Sequence, residues 1–288
     1  PPPPSAAMPL PRAARALLFA ATAPPAVAAG GHVAPAAGIG AGAGGDDSEL
    51  HLLWGTPIHA TTVGPKAAQI NAPLAAYMRR LAATEPPEIR SNRNGGWQSR
   101  NKAFLDPQSH PRGSGVRRPA RRLRKAVLKA LREYFDSMLQ QGGPYLDYEV
   151  SIDASWANVN PPCAINGPHV HPFAAVSGAY YVDCGSNATA DLPCAINLMD
   201  PRPSAPMAHL PAELRDGMDF GTDFTVSIWP GMVLLFPSWL THWVPPNDAP
   251  NSRLTISFNA GVRLTGSEAS SGVLTEREEE AATTQRTK

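Results

Sequence analysis

The stretch NGPHVHPFAAVSGAYYV, residues 166–182, sets two histidines one residue apart at the head of a run of small, β-branched and aromatic residues. Such a run reads as a β-strand. Strand residues alternate between faces, so His169 and His171 are expected to point the same way, with Pro172 holding His171 extended. Two imidazoles on one face of a strand are more often a hydrogen-bonded polar pair than a metal site; a third ligand would reverse that.

That partner lies downstream in WPGMVLLFPSWLTHWVPP, residues 229–246, where an apolar strand and a turn at Pro237–Trp239 deliver His242 to the start of the next run. Eleven residues further, Arg253 opens RLTISFNAGV. Alternation there puts Arg253, Thr255 and Ser257 on one face and Leu254, Ile256 and Phe258 on the other. A guanidinium on a half-buried strand is costly unless it meets an anion, and its planar fork matches a carboxylate. The anion is either a bound ligand or a structural partner such as Asp248.

Outward from these residues, the chain from 146 to 263 breaks into short apolar runs at 146–159, 173–183, 194–199, 224–229, 231–237 and 253–263, separated by Pro, Gly, Asn and Asp. No long helical pattern lies among them, which predicts an antiparallel sandwich or barrel rather than a parallel α/β fold. Helices come first. Ile70, Leu74, Met78 and Leu81 recur at steps of four, four and three over 66–83, and Ala120, Leu123, Val127, Leu131, Tyr134 and Met138 do so over 118–140. The second helix carries Arg121, Arg122, Arg124, Lys125, Lys129 and Arg132 on its other side. A solvated outer face explains that pattern, and no nucleic-acid partner is expected.

Residues 1–46 form an Ala/Pro/Gly-rich leader with no acidic residue before Asp46, too poor in large apolar side chains to fold. Within it, residues 8–30 have the outline of a secretory or organelle-targeting peptide; without cleavable targeting the protein would be cytoplasmic. The apolar run there is broken by Pro24 and Pro25, so no membrane span is expected. Residues 267–288 read as a polar, disordered tail, leaving one folded domain over 47–266. Net charge is +1, which selects no partner class. Three cysteines make no framework, although Cys184 and Cys194 could bridge across a loop that also holds a glycosylation pattern at Asn187.

Together, SNRNGGWQS, HVHPFAAVSGAYYV, GMVLLFPSWLTHWV and RLTISFNAGV resemble the Fe(II)/2-oxoglutarate-dependent oxygenases, and within them a group of uncharacterised 2OG-Fe(II) oxygenases with a His-x-His, distal His and Arg pattern. The similarity covers roughly residues 50–263. It implies a mainly β fold with N-terminal helices, a double-stranded β-helix (jelly roll, cupin-like). It also implies iron(II) held by His169, His171 and His242, and 2-oxoglutarate clamped at its far carboxylate by Arg253 with help from Thr255 and Tyr181. The activity implied is a dioxygenase that consumes O2 and 2-oxoglutarate, hydroxylates a substrate the sequence does not name, and releases succinate and CO2.

His171 departs from the superfamily, which mostly carries Asp or Glu there. A third imidazole keeps three ligands on one face but leaves the site one unit more positive. Three-histidine iron sites also occur in thiol dioxygenases, which do not use 2-oxoglutarate; Arg253 favours the oxoacid. The alternative of another class is a jelly-roll binding module without turnover. The stretch around Trp97 and Gln98 reads as a loop that either caps the site or anchors the helices.

Overall fold

The structure, a computed structural model, describes residues 55–88, 90–139, 146–185, 194–202, 211 and 223–265. The leader, the Asn187 pattern and the polar tail lie outside them.

After a short strand β1 (His59–Thr62), helix α1 (Ala67–Thr84) buries Ile70, Leu74 and Met78 and half-buries Leu81, the stripe expected from their spacing. It ends at Glu85, which precedes Pro86 and is therefore extended; the Glu85 N–H closes the last turn on the Leu81 carbonyl at 2.8 Å. Helix α2 (Arg117–Leu139) buries Ala120, Leu123, Val127, Leu131 and Tyr134. Met138, expected on that stripe, is exposed in the last turn. Arg118, Arg121, Lys125, Lys129 and Arg132 are exposed on the far side.

Between the helices, β2 (Asn92–Arg93) and β3 (Trp97–Gln98) are two-residue strands. Eight longer elements follow: β4 (Tyr148–Asn160), β5 (Ile165–His169), β6 (Val176–Asp183), β7 (Cys194–Met199), β8 (Asp223–Ile228), β9 (Met232–Pro237), β10 (His242–Val244) and β11 (Arg253–Leu264). One sheet runs β1-β9-β6-β11-β4-β3 and the other β2-β5-β10-β7-β8, every paired strand antiparallel. Of the eight, the first, eighth, third and sixth share one sheet and the second, seventh, fourth and fifth share the other. That order is the double-stranded β-helix, a jelly roll.

Two apolar cores follow from the layering. On the outer face of the six-stranded sheet, Val182, Val233, Leu235, Leu254, Ile256 and Phe258 pack with Leu74, Met78, Leu123, Val127 and Leu131 of the helices. Between the sheets, Tyr181, Leu234 and Phe236 meet Ile196, Leu198 and Val226. Gly178 makes room within the six-stranded sheet: a Cβ there would lie 2.6 Å from both the Leu234 carbonyl and the Phe258 ring of the two flanking strands. Cys184 and Cys194 form a disulfide with Cα atoms 5.6 Å apart, tying the end of β6 to the start of β7, and Cys163 is a free, exposed thiol. No helix among the described residues is long and apolar enough to cross a membrane.

Candidate metal and co-substrate site

β5 and β10 pair with His169 directly opposite His242. Both face the other sheet, with the Phe236 ring 4.6 Å from that of His242. His171 reaches the same place by another route. The strand begun at His169 was expected to continue through His171 into residues 173–183. Instead β5 ends at His169, residues 170–175 are irregular, and β6 begins at Val176 in the opposite sheet. Strand alternation therefore does not orient His171. Its N–H donates to the Ser238 carbonyl at 2.9 Å, which pins the crossing segment beside the turn before His242. Trp156 of β4 stands 5.6 Å from its ring.

The three histidines converge, with one ring nitrogen from each lying within 4.8 Å of the others. Ring centroids are 4.3 Å apart for His169 and His242, 5.0 Å for His169 and His171, and 5.1 Å for His171 and His242. Among the described residues no carboxylate or thiol joins them. His169 Nδ1 lies 2.7 Å from the Gly167 carbonyl and His242 Nδ1 lies 2.9 Å from the Leu240 carbonyl. A carbonyl only accepts, so both Nδ1 atoms carry the proton and both Nε2 lone pairs are free. This backbone support fixes the tautomer and ring orientation that metal ligation requires.

Burial lowers the pKa of all three. His169 is lowered chiefly by burial, His171 falls to about 4 through burial and its neighbour His169, and His242 to about 3 through burial and then His169. Each is a neutral imidazole near neutral pH, the form that binds a metal.

On the facing sheet, β4 and β11 pair with Arg253 opposite Asn160, Thr255 opposite Asn158, and Ser257 opposite Trp156. These pairs point inward, since Asn158 Nδ2 donates to Thr255 Oγ1 at 3.2 Å and to Ser257 Oγ at 3.0 Å. Arg253 is 3% exposed. Its Nη2 donates to the Pro245 carbonyl at 3.2 Å, while its Nε is buried with no partner. Burial pulls the guanidinium down to about 10, with Tyr181 and Asp248 opposing, so it stays charged at neutral pH. Asp248, considered as a structural partner, is exposed and makes no ion pair with Arg253. A buried cation with an unsatisfied donor is costly, and it fits a site built for an anion.

Tyr181 faces this space too, paired across the ladder with Thr255, and burial raises its hydroxyl pKa. Its neighbour Tyr180 points the other way and donates to Asn71 of α1 at 2.5 Å. Trp97 is buried among the helix-side apolar residues, its Nε1 donating to the Glu85 carbonyl at 3.0 Å, so it anchors the helices and does not cap the site. Gln98, beside it on β3, faces inward in register with Asn158. Asn166 accepts from Asn160 Nδ2 at 2.7 Å and Asn259 accepts from Ser177 Oγ at 3.0 Å, so both serve the frame. Trp156 and Asn160 carry no sequence signal of their own and emerge only from their register against Ser257 and Arg253.

A jelly roll with three converging imidazoles on one sheet and a buried, half-satisfied arginine on the other could hold a metal beside an anion. Residues 154–259, from β4 to β11, match the model of the family described as "Putative 2OG-Fe(II) oxygenase". This stretch of the chain is similar to that family, whose members use Fe(II) as cofactor and 2-oxoglutarate as co-substrate. No curated protein matches the sequence.

Among solved structures, the chain is similar to a Pseudomonas putida prolyl-4-hydroxylase at 16% identity and TM-score 0.44, covering 73% of this chain and 94% of that one. It is also similar to the alpha-ketoglutarate-dependent epimerase SnoN of nogalamycin biosynthesis at 14% identity and TM-score 0.44, covering 76% and 85%. A third is a Trichoplax adhaerens prolyl hydroxylase bound to a hypoxia inducible factor peptide, at 15% identity and TM-score 0.41, covering 72% and 84%. Likenesses this loose bear on neither reaction nor substrate.

Proposed function

We propose that the protein is an iron(II)- and 2-oxoglutarate-dependent dioxygenase that hydroxylates its substrate and releases succinate and CO2. The observation that carries this reading is the pairing of the histidine cluster with a buried arginine whose Nε has no protein partner. A metal-binding module without an oxoacid has no need of that cation.

His169 and His242 would hold the metal through Nε2, because their Nδ1 atoms are committed to backbone carbonyls. His171 completes a three-nitrogen face. Bound iron(II) would supply the O2 activation that couples decarboxylation of 2-oxoglutarate to insertion of one oxygen atom into a substrate C–H bond, the second oxygen ending in succinate.

The chain's own part is to bind, orient and keep water out. Arg253 offers the far carboxylate its free Nε and a charge-assisted fork. Thr255 Oγ1 accepts from Asn158, which leaves its own proton for a carboxylate oxygen. Tyr181 stays protonated because burial disfavours the phenolate, so it too is a donor. Trp156 and Asn160 are four residues apart on β4, so the level of His171 and that of Arg253 are roughly 13 Å apart along the strand. The catalytic unit is the single body expected over 47–266, with no nucleic-acid partner.

The test is an anaerobic titration of the full chain with Fe(II) and then 2-oxoglutarate, following the weak visible charge-transfer absorbance of an iron-chelated oxoacid. The expected result is a band that bleaches on admitting O2, with succinate formed. Bound iron without a band would overturn the 2-oxoglutarate reading, and failure to bind iron would remove the metal site altogether.

A further inference from the structure

The Arg253 side chain has one hydrogen bond to the protein, to the Pro245 carbonyl, and that carbonyl sits in the connection from β10 to β11. The connection, PPNDAPNS over 245–252, contains three prolines and so offers few backbone donors of its own. What gives it a shape is Asn247, which is 3% exposed. Its N–H donates to the Ala164 carbonyl at 3.1 Å, and its carbonyl accepts from the Cys163 N–H at 2.9 Å. Its Nδ2 donates to the Asn160 carbonyl at 2.9 Å and to the Asn251 carbonyl at 2.8 Å, and its Oδ1 accepts from the Ala249 N–H at 3.3 Å.

Asn160 is the residue paired directly across the ladder from Arg253. The contacts therefore close a ring: Arg253 pairs with Asn160, Asn160 is held by Asn247, Asn247 fixes the turn that carries Pro245, and Pro245 holds Arg253. We propose that Asn247 is a positioning residue for the co-substrate clamp, keeping the Pro245 carbonyl where it turns the guanidinium's free Nε toward the oxoacid.

The proposal rests on the dioxygenase reading above and deepens it. Losing the amide frees the turn and lets the guanidinium rotate, so 2-oxoglutarate must order the clamp on binding instead of finding it ready. The histidines have separate supports on the Gly167, Leu240 and Ser238 carbonyls. Iron affinity is therefore insulated from the change.

The experiment compares wild type with Asn247→Ala and Asn247→Asp in the full chain, measuring the Kd for Fe(II) and, on the iron-loaded protein without O2, the Kd for 2-oxoglutarate from the charge-transfer band. Asp keeps the size and the acceptor but cannot donate to the Asn160 and Asn251 carbonyls. Both variants are expected to weaken 2-oxoglutarate about tenfold, the scale of one hydrogen bond to a charged group, with Fe(II) affinity within about twofold of wild type. In an Arg253→Met background the same change should have no further effect on 2-oxoglutarate, since no guanidinium remains to be positioned. Should the alanine variant not fold, Asn247→Ser, which keeps one donor, carries the same expectation at smaller size.

An unchanged 2-oxoglutarate Kd, an Asp variant that behaves as wild type, or a parallel loss of iron and 2-oxoglutarate binding would overturn the proposal while leaving the dioxygenase reading intact. A wild-type protein that binds iron and gives no band would overturn that reading and this one with it.

Discussion

Strand β11 has two faces with opposite tasks. Leu254, Ile256, Phe258 and Ala260 are fully buried under the helices with no polar group among them. One residue along in each case, Arg253, Thr255, Ser257 and Asn259 face the second sheet, and every one is polar. The first face gains stability by excluding water from apolar surface. The second gives up that gain: it buries a charge and leaves Arg253 Nε, Asn158 Oδ1 and Asn160 Oδ1 without partners. A single strand can do both because its side chains alternate, so the helix-side core stabilises the sheet that displays a costly inner surface.

Four measurements would break or sharpen this contrast. The largest effect is expected at the inner space itself: His242→Ala should abolish stoichiometric iron binding and with it the 2-oxoglutarate band. Iron retained at one equivalent, by metal analysis of the purified variant, would remove His242 from the metal site. On the outer face, Phe258→Ala should lower unfolding free energy by about 3–5 kcal/mol, the range for emptying a buried aromatic position. Urea denaturation reads this directly, and a loss below about 1 kcal/mol would deny that face its stabilising role.

Arg253→Ala should raise the 2-oxoglutarate Kd roughly 10- to 100-fold, from the loss of charge-assisted hydrogen bonds, and leave iron content unchanged. An unaltered Kd would dissolve the clamp.

The smallest effect belongs to the helix side. His110 is 1% exposed, its Nε2 2.8 Å from the Phe104 carbonyl and its Nδ1 buried without a partner. Burial lowers its pKa below the ordinary 6.5. The unfolded chain therefore takes up a proton near pH 6.5 that the folded chain resists, and stability falls as pH drops below that value. Thermal melts of the metal-free protein at pH 7 and pH 5.5 should show the decline, to which the three lowered site histidines also contribute, and His110→Gln should make it shallower without removing it; an equal slope in the variant would assign the whole decline to other groups.

Much of the framework was legible in residue order. The stripes of α1 and α2, the strand runs at 194–199 and 253–263, and the shared face of Arg253, Thr255 and Ser257 follow from periods of 3.6 and 2, which are local properties of the chain. The crossing at 170–175 was not legible. HVHPFAAVSGAYYV keeps β-compatible residues throughout, and nothing local marks Val176 as the point where the chain leaves one sheet for the other. The break shows in the backbone, where Phe173 takes a positive φ of 68° and is fully exposed. Likewise Trp97 reads as a loop residue from its double glycine, yet two residues of pairing with β4 are enough to bury it against the helices.

By itself the sequence determined the binary pattern: which faces are apolar, where helices give way to strands, and that three imidazoles and a guanidinium occur in the order of a known oxygenase pattern. Only the tertiary structure decided which of these groups meet. His169 and His242 are neighbours because strands 73 residues apart in sequence pair across one ladder. His171 joins them through a hydrogen bond to Ser238, and Arg253 is aimed by a carbonyl whose position depends on Asn247, Asn160 and the β4 ladder together. Such contacts depend on long-range pairing, and no local periodicity encodes them.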